Sequence, residues 1–150
     1  MYKSIARRRV HRTFAALGRG DWQEGIAGVA EDVHHVFPGD HALGGERHSR
    51  EAFARWLERL YRLIPELRFE VHAVAVRGWP WDMRVAVQWT DFGRTADGEP
   101  YRNDGAHWIR LKNGKATEIQ AYLDTQSLAR SCERMAAAGI EEAGAAPITS

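Results

Sequence analysis

Two side chains in this sequence sit where a fold can hold a reactive group. Asp124 closes the stretch Ala116-Thr117-Glu118-Ile119-Gln120-Ala121-Tyr122-Leu123-Asp124, whose alternation puts Ile119, Ala121 and Leu123 on one face of a predicted strand. Thr125 and Ser127 can open a helix behind it, so rigid elements fix the carboxylate on both sides. Such a carboxylate either caps the helix or serves as a proton acceptor in a pocket. The two uses pull its pKa apart, because a cap favours the charged form and an apolar wall disfavours it. His107 shares an inward face with Ile109 and Leu111. A histidine there is either a hydrogen-bonded core residue or a neutral N–H donor to a developing negative charge.

Aromatic residues supply candidate walls for such a site. Trp89 is inward on a central strand, and Trp56 lies on the buried stripe of a helix, where core packing is the competing use. His35 and Phe37, at the end of a short β stretch, are expected at the pocket mouth. Tyr122 shares a face with Gln120 and Glu118; it reaches a pocket only if the strand twists at its end, and otherwise belongs to the sheet surface or a dimer contact. His34, His35, His41 and His48 follow no strong zinc spacing, and a Pro-Gly-Gly loop between them fixes no geometry, so no metal site is expected. Cys132 is the single cysteine, which excludes an intrachain disulfide and a thiolate metal cluster.

The elements that position these residues follow from periodicity. Ile5, Val10, Phe14 and Leu17 mark a first amphipathic helix with arginines on its far side, ended by Gly18-Arg19-Gly20. Asp21 with Glu24 reads as a capping box for a short second helix. Asp32 to Phe37 reads as a short strand, and His41 to His48 as an irregular loop. Ser49 caps a third helix with the stripe Phe53, Trp56, Leu57, Leu60 and Ile64, stopped by Pro65. Period two then takes over in four strands, Leu67–Arg77, Met83–Arg94, Tyr101–Lys112 and Ala116–Asp124, joined by links short enough to make consecutive strands antiparallel. A last helix spans Ser127 to Ala138, and the Ala/Gly-rich segment 139–150 is expected to be a flexible tail after a single domain, 1–138. The sum is an α+β fold with a curved antiparallel sheet around N-terminal helices.

Composition removes several function classes. Lys plus Arg number 21 against 20 Asp plus Glu, a formal charge of +1, so no global field draws the chain to nucleic acid or anionic membrane. No apolar run approaches the roughly 18 residues of a membrane span. The Arg-rich start lacks the apolar core of a secretory signal, so a cytoplasmic location is the default expectation.

The order of elements, with Leu17-Gly18-Arg19-Gly20-Asp21, Phe37-Pro38-Gly39-Asp40-His41 and Asn113-Gly114-Lys115 leading to Tyr122-Leu123-Asp124-Thr125, resembles the SnoaL-like polyketide cyclases of the nuclear transport factor 2-like superfamily. The resemblance spans about residues 5 to 130. It implies a cone-shaped fold with a pocket between sheet and helices, no metal or organic cofactor, a hydrophobic small-molecule ligand and a homodimer packed through the sheet. It also implies intramolecular aldol chemistry in which Asp124 would take a proton next to a carbonyl of a polyketide-like substrate and His107 would assist at the oxygen. A non-catalytic binding or dimerisation module on the same fold is the alternative. Two related chemistries fit poorly. The base of ketosteroid isomerases would fall on Val36 or Phe37 and their helix-one tyrosine near Thr13, while their oxyanion-hole aspartate maps onto His107. The Asp-Arg-Asp set of the epoxide hydrolases could be drawn only from Asp124, Arg84 and Asp104, of which Arg84 and Asp104 are on the outward phase.

Overall fold

Helical and strand periodicities separate along the chain as their apolar spacing requires. In the computed structural model, which describes residues 1–149, they form α1 (Tyr2–Leu17), α2 (Trp22–Ile26), β1 (Val29–Phe37), β2 (Gly45–Arg47), α3 (Arg50–Leu63), β3 (Arg68–Trp79), β4 (Asp82–Arg94), β5 (Pro100–Lys112), β6 (Lys115–Leu123) and α4 (Thr125–Ala137). A 3-10 turn, Glu141–Gly144, follows. One six-stranded sheet has the order β2-β1-β6-β5-β4-β3. All pairs are antiparallel except β1 with β6, which run parallel.

Each helix buries one stripe. In α1 the stripe is Ala6, Val10 and Phe14, so Ile5 is turned out to solvent. In α3 it is Ala52, Phe53, Trp56, Leu57, Leu60 and Leu63, and the Ser49 hydroxyl caps the helix by accepting from the Ala52 N–H at 3.1 Å. The capping box expected at α2 does not form: Asp21 makes no side-chain cap, and Glu24 pairs instead with Arg12 and Arg19 at 3.5 and 3.8 Å. Five residues of helix offer little for a cap to stabilise, and two nearby guanidinium groups compete for the carboxylate.

The meander β3–β6 has the alternation the sequence predicts, with Val85, Val87, Trp89 and Ala121 buried on the inner face. The β5–β6 turn places Asn113 and Gly114 at φ 49° and 80°, a two-residue hairpin that only such residues make readily. The β3–β4 tip leaves Trp79 and Trp81 stacked and exposed, ring centroids 5.9 Å apart.

Two segments differ from their sequence reading. β1 is longer than expected, and the supposed loop after it contains β2, paired through His35 with Arg47 and Phe37 with Gly45. Three residues carry too little periodicity to announce a strand; pairing defines this one. The segment expected to be a flexible tail is docked on α3. Glu142 meets Arg62 at 2.6 Å and Arg59 at 3.3 Å, Arg59 also donates to the Ala146 carbonyl, Arg47 donates to the Ile148 carbonyl, and Ala143 is buried. Among the described residues no helix is long and apolar enough to cross a membrane.

Candidate functional site

Between the inner face of the sheet and helices α1, α2 and α3 lies a cavity of about 150 Å3, lined mainly by apolar and aromatic side chains. Phe14 comes from α1, Trp22 and Ile26 from α2, Trp56 and Leu60 from α3, and Phe69, Trp89 and Ile109 from the sheet. Few polar side chains reach it, and both histidines among them are set by a specific partner.

The first is His107. The Trp89 indole N–H donates to its Nδ1 at 2.8 Å. An indole has no acceptor, so Nδ1 must carry a lone pair, and the neutral ring keeps its proton on Nε2. Burial lowers the pKa to about 4, so the ring stays neutral at physiological pH. Phe14 lies edge-on to it at 5.7 Å. Gly105 makes the pairing possible. It is the partner of Trp89 in the β4–β5 register, and a Cβ there would come within 2.7 Å of the indole and 2.5 Å of the Tyr122 carbonyl oxygen.

His35 repeats the pattern on β1. The Arg47 guanidinium donates to its Nδ1 at 2.9 Å, so its proton is also on Nε2. Burial first, and the Arg47 charge second, hold its pKa well below the usual histidine value. The ring is wedged between Phe53 and Trp56, with centroids at 4.3 and 4.6 Å. Arg47 is itself fully buried; it donates to the Gly44 and Ile148 carbonyls and lies 5.4 Å from the Trp56 ring.

The other pole of the cavity holds Asp91 and Tyr101, which the sequence reading did not single out. Asp91 is 6% exposed and its Oδ1 has no hydrogen-bond partner. Burial raises its pKa to about 8, with the Asp104 carboxylate adding to the rise and the backbone amides of Asp91 and Asn103 partly offsetting it. Tyr101 is buried nearby, and desolvation followed by the Asp91 charge pushes its phenol well above the usual value. Asp91 pairs with Asn103, and His107 with Val87, four residues earlier on β4. The backbone of the carboxyl pole and that of the imidazole pole are therefore separated by roughly 13 Å along the strand, with Trp89 between them.

Of the residues singled out from sequence, His107, Trp89, Trp56, His35 and Phe37 line this one cavity. Asp124 and Tyr122 do not. The Asp124 carboxylate caps α4 by accepting from the Ser127 N–H at 3.1 Å, and the residue is exposed. The Asn103 side-chain amide clasps its backbone, with Asn103 Nδ2 donating to the Asp124 carbonyl at 2.9 Å and the Asp124 N–H donating to Asn103 Oδ1 at 3.1 Å. The strand does not twist enough to bring Tyr122 inward, and it stands 58% exposed on the outer face. Arg84 and Asp104 are also outward, bound to Asp82 and Thr90.

The signal for Asp91 was period two. Val85, Val87 and Trp89 face inward, and the next step is Asp91; on the facing strand, two steps back from Gly105 reach Asn103 and Tyr101.

The fold has counterparts among solved structures. An NTF2-like protein of unknown function from Burkholderia pseudomallei superposes with a TM-score of 0.72 at 24% identity, over 82% of this chain and 93% of that one. A candidate polyketide cyclase from Xanthomonas campestris gives 0.63 at 22%, over 84% and 95%. TerC co-crystallised with polyporic acid gives 0.67 at 19%, over 83% and 95%. No curated protein matches the chain. The SnoaL-like domain matches residues 10–119, from the first helix to the strand that closes the cavity, and the chain belongs to that family.

Proposed function

We propose that this protein binds a small, uncharged, largely apolar carbonyl compound and moves a proton on it, with Asp91 as the proton-transfer group. The observation that carries this reading is a carboxyl buried in an aromatic cavity with one oxygen unpartnered and its pKa brought near neutrality. Proton abstraction is best served by a group whose pKa lies close to the working pH. The imidazole pole supplies the complement. Two neutral rings carry Nε2 protons fixed by Trp89 and Arg47, and preorganised N–H donors stabilise a developing enolate oxygen in a site with little water.

The step balances simply. The C–H bond breaks, its proton goes to Asp91, and the electron pair moves through the substrate to the oxygen held by His107. Because the two poles are separated along the strand, conjugation across a ring suits the charge transfer. The enolate then regains a proton at another carbon, as in an isomerisation, or attacks a second carbonyl of the same molecule, as in a cyclisation. Volume limits the substrate: apolar cavities on the order of 150 Å3 take up benzene, so a single-ring compound fits this site and a fused polycycle does not. The co-crystallisation of TerC, a protein of the same fold, with polyporic acid supports the small-molecule reading. A homodimer through the outer sheet face, where Trp108 and Tyr122 are exposed, fits the same fold and is checked by light scattering.

A binding-only reading has one specific observation in its favour. A carboxyl with a pKa of about 8 is mostly protonated at pH 7, where it donates a hydrogen bond to a ligand rather than accepting a proton. The two readings separate in one experiment. Cyclohex-2-enone is incubated with the protein in deuterated buffer, and exchange at its acidic carbons is followed by NMR. We expect protein-dependent exchange that rises with pH through about 8 and falls roughly a hundredfold or more in Asp91→Asn. Binding without exchange would leave the module reading, and exchange indifferent to Asp91→Asn would remove Asp91 from the chemistry.

A further inference from the structure

Three side chains able to ligate a metal meet on the outer face of the β1–β2 edge, away from the cavity. The register pairs His35 with Arg47 and Val36 with Glu46, so His34 falls opposite His48 and Glu46 lies one diagonal step away. Period two does the sorting. His35 and Arg47 turn inward to the cavity, and His34, Glu46 and His48 turn outward from the same two strands. In the sequence these histidines follow no zinc spacing, because the third donor, Glu46, is brought in by strand pairing.

The donors converge on one point. His34 Nε2 is 2.7 Å from Glu46 Oε2, and His48 Nε2 is 3.9 Å from the same oxygen. The two rings are stacked, centroids 4.5 Å apart at 14°, and because an imidazole holds a metal in its own ring plane, both rings must turn about χ2 to aim at one ion. All three donor atoms lie within 4.8 Å of one another. Donors around a tetrahedral zinc with bonds of about 2.0–2.1 Å stand roughly 3.3 Å apart, a spacing the half-exposed side chains reach by that turn of the rings.

We propose that His34 Nε2, Glu46 Oε2 and His48 Nε2 bind a divalent ion of the zinc class, with water in the remaining position. Two imidazoles and one carboxylate suit zinc and its borderline neighbours; magnesium and calcium prefer oxygen sets. The ion would pin the short edge strand β2 to β1. His35 and Arg47 occupy the inner side of those strands, so the ion braces the imidazole pole from behind.

Titration calorimetry of the tag-free full chain with zinc chloride in a non-coordinating buffer tests this. One ion per chain is expected, with a dissociation constant in the micromolar range or tighter, and no heat from magnesium or calcium chloride. His34→Ala and His48→Ala should each weaken binding roughly tenfold or more, the least that disturbing a metal's surroundings usually costs, and the isosteric Glu46→Gln should weaken it too. All three positions are exposed enough for the variants to keep the wild-type circular dichroism spectrum. His72→Ala should bind as wild type does. Zinc heat that persists in His34→Ala/His48→Ala, or its absence from the wild type at tens of micromolar, overturns the proposal.

Discussion

The Trp89 indole can only donate, and that single fact sets the proton on His107. Gly105 keeps the pair intact, since any larger residue would push into the indole and the Tyr122 carbonyl. Gly105→Ala is therefore expected to lower stability by about 1–3 kcal/mol through overpacking and to weaken ligand binding. Chemical denaturation paired with a thermal-shift titration reads both. The inward face of β5 near His107 was legible in the sequence because alternation there is unbroken. Asp91 was harder to see, because a charged residue at the end of an apolar run looks like the place where the strand leaves the core. Whether a carboxyl is buried depends on what covers it, and the helices that cover this one lie far away in sequence.

The junction between β6 and α4 shows how one element can claim a residue that its position also recommends for chemistry. The Asp124 carboxylate satisfies the Ser127 N–H, one of the orphan donors of the first turn, and Asn103 holds its backbone from β5. Asp124→Ala should cost about 1 kcal/mol, as loss of a cap does, and leave ligand affinity and proton exchange unchanged. Denaturant midpoints beside the exchange assay measure this, and a drop in exchange comparable to that of Asp91→Asn would return Asp124 to the reaction. The helices and the four-strand meander were legible because each repeats its period several times. β2 was not, because three residues give no period. The docking of 139–149 was not, because its anchors are arginines of β2 and α3 meeting backbone carbonyls and the Glu142 carboxylate, a pairing without a sequence pattern.

The buried titratable groups together set how the molecule responds to pH. His107, His35 and His41 are held neutral by burial, so between their folded values and the usual 6.5 the unfolded chain binds more protons, and stability rises with pH. Asp91 acts oppositely: it keeps its proton up to about 8, so between the usual carboxylate value near 4 and pH 8 its contribution falls as pH rises. Three histidines outweigh one aspartate up to 6.5, and as they finish titrating in the unfolded chain above it Asp91 takes over. A stability maximum a little above pH 6.5 is expected, followed by a decline of at most about 1.4 kcal/mol per pH unit up to 8. Asp91→Asn should remove that decline, which melting curves across pH 5 to 9 would show. The parallel pairing of β1 with β6 has a further consequence, for the order of events during synthesis. Residues 29–37 leave the ribosome early, but their sheet neighbour spans residues 115–123. The β1 backbone must therefore wait, on the order of ten seconds at typical elongation rates, for the strand that pairs with it. The β3–β6 meander needs only local closure and can assemble first. The nascent chain is thus most open to aggregation, and to chaperone capture, at its first strand until its last one arrives.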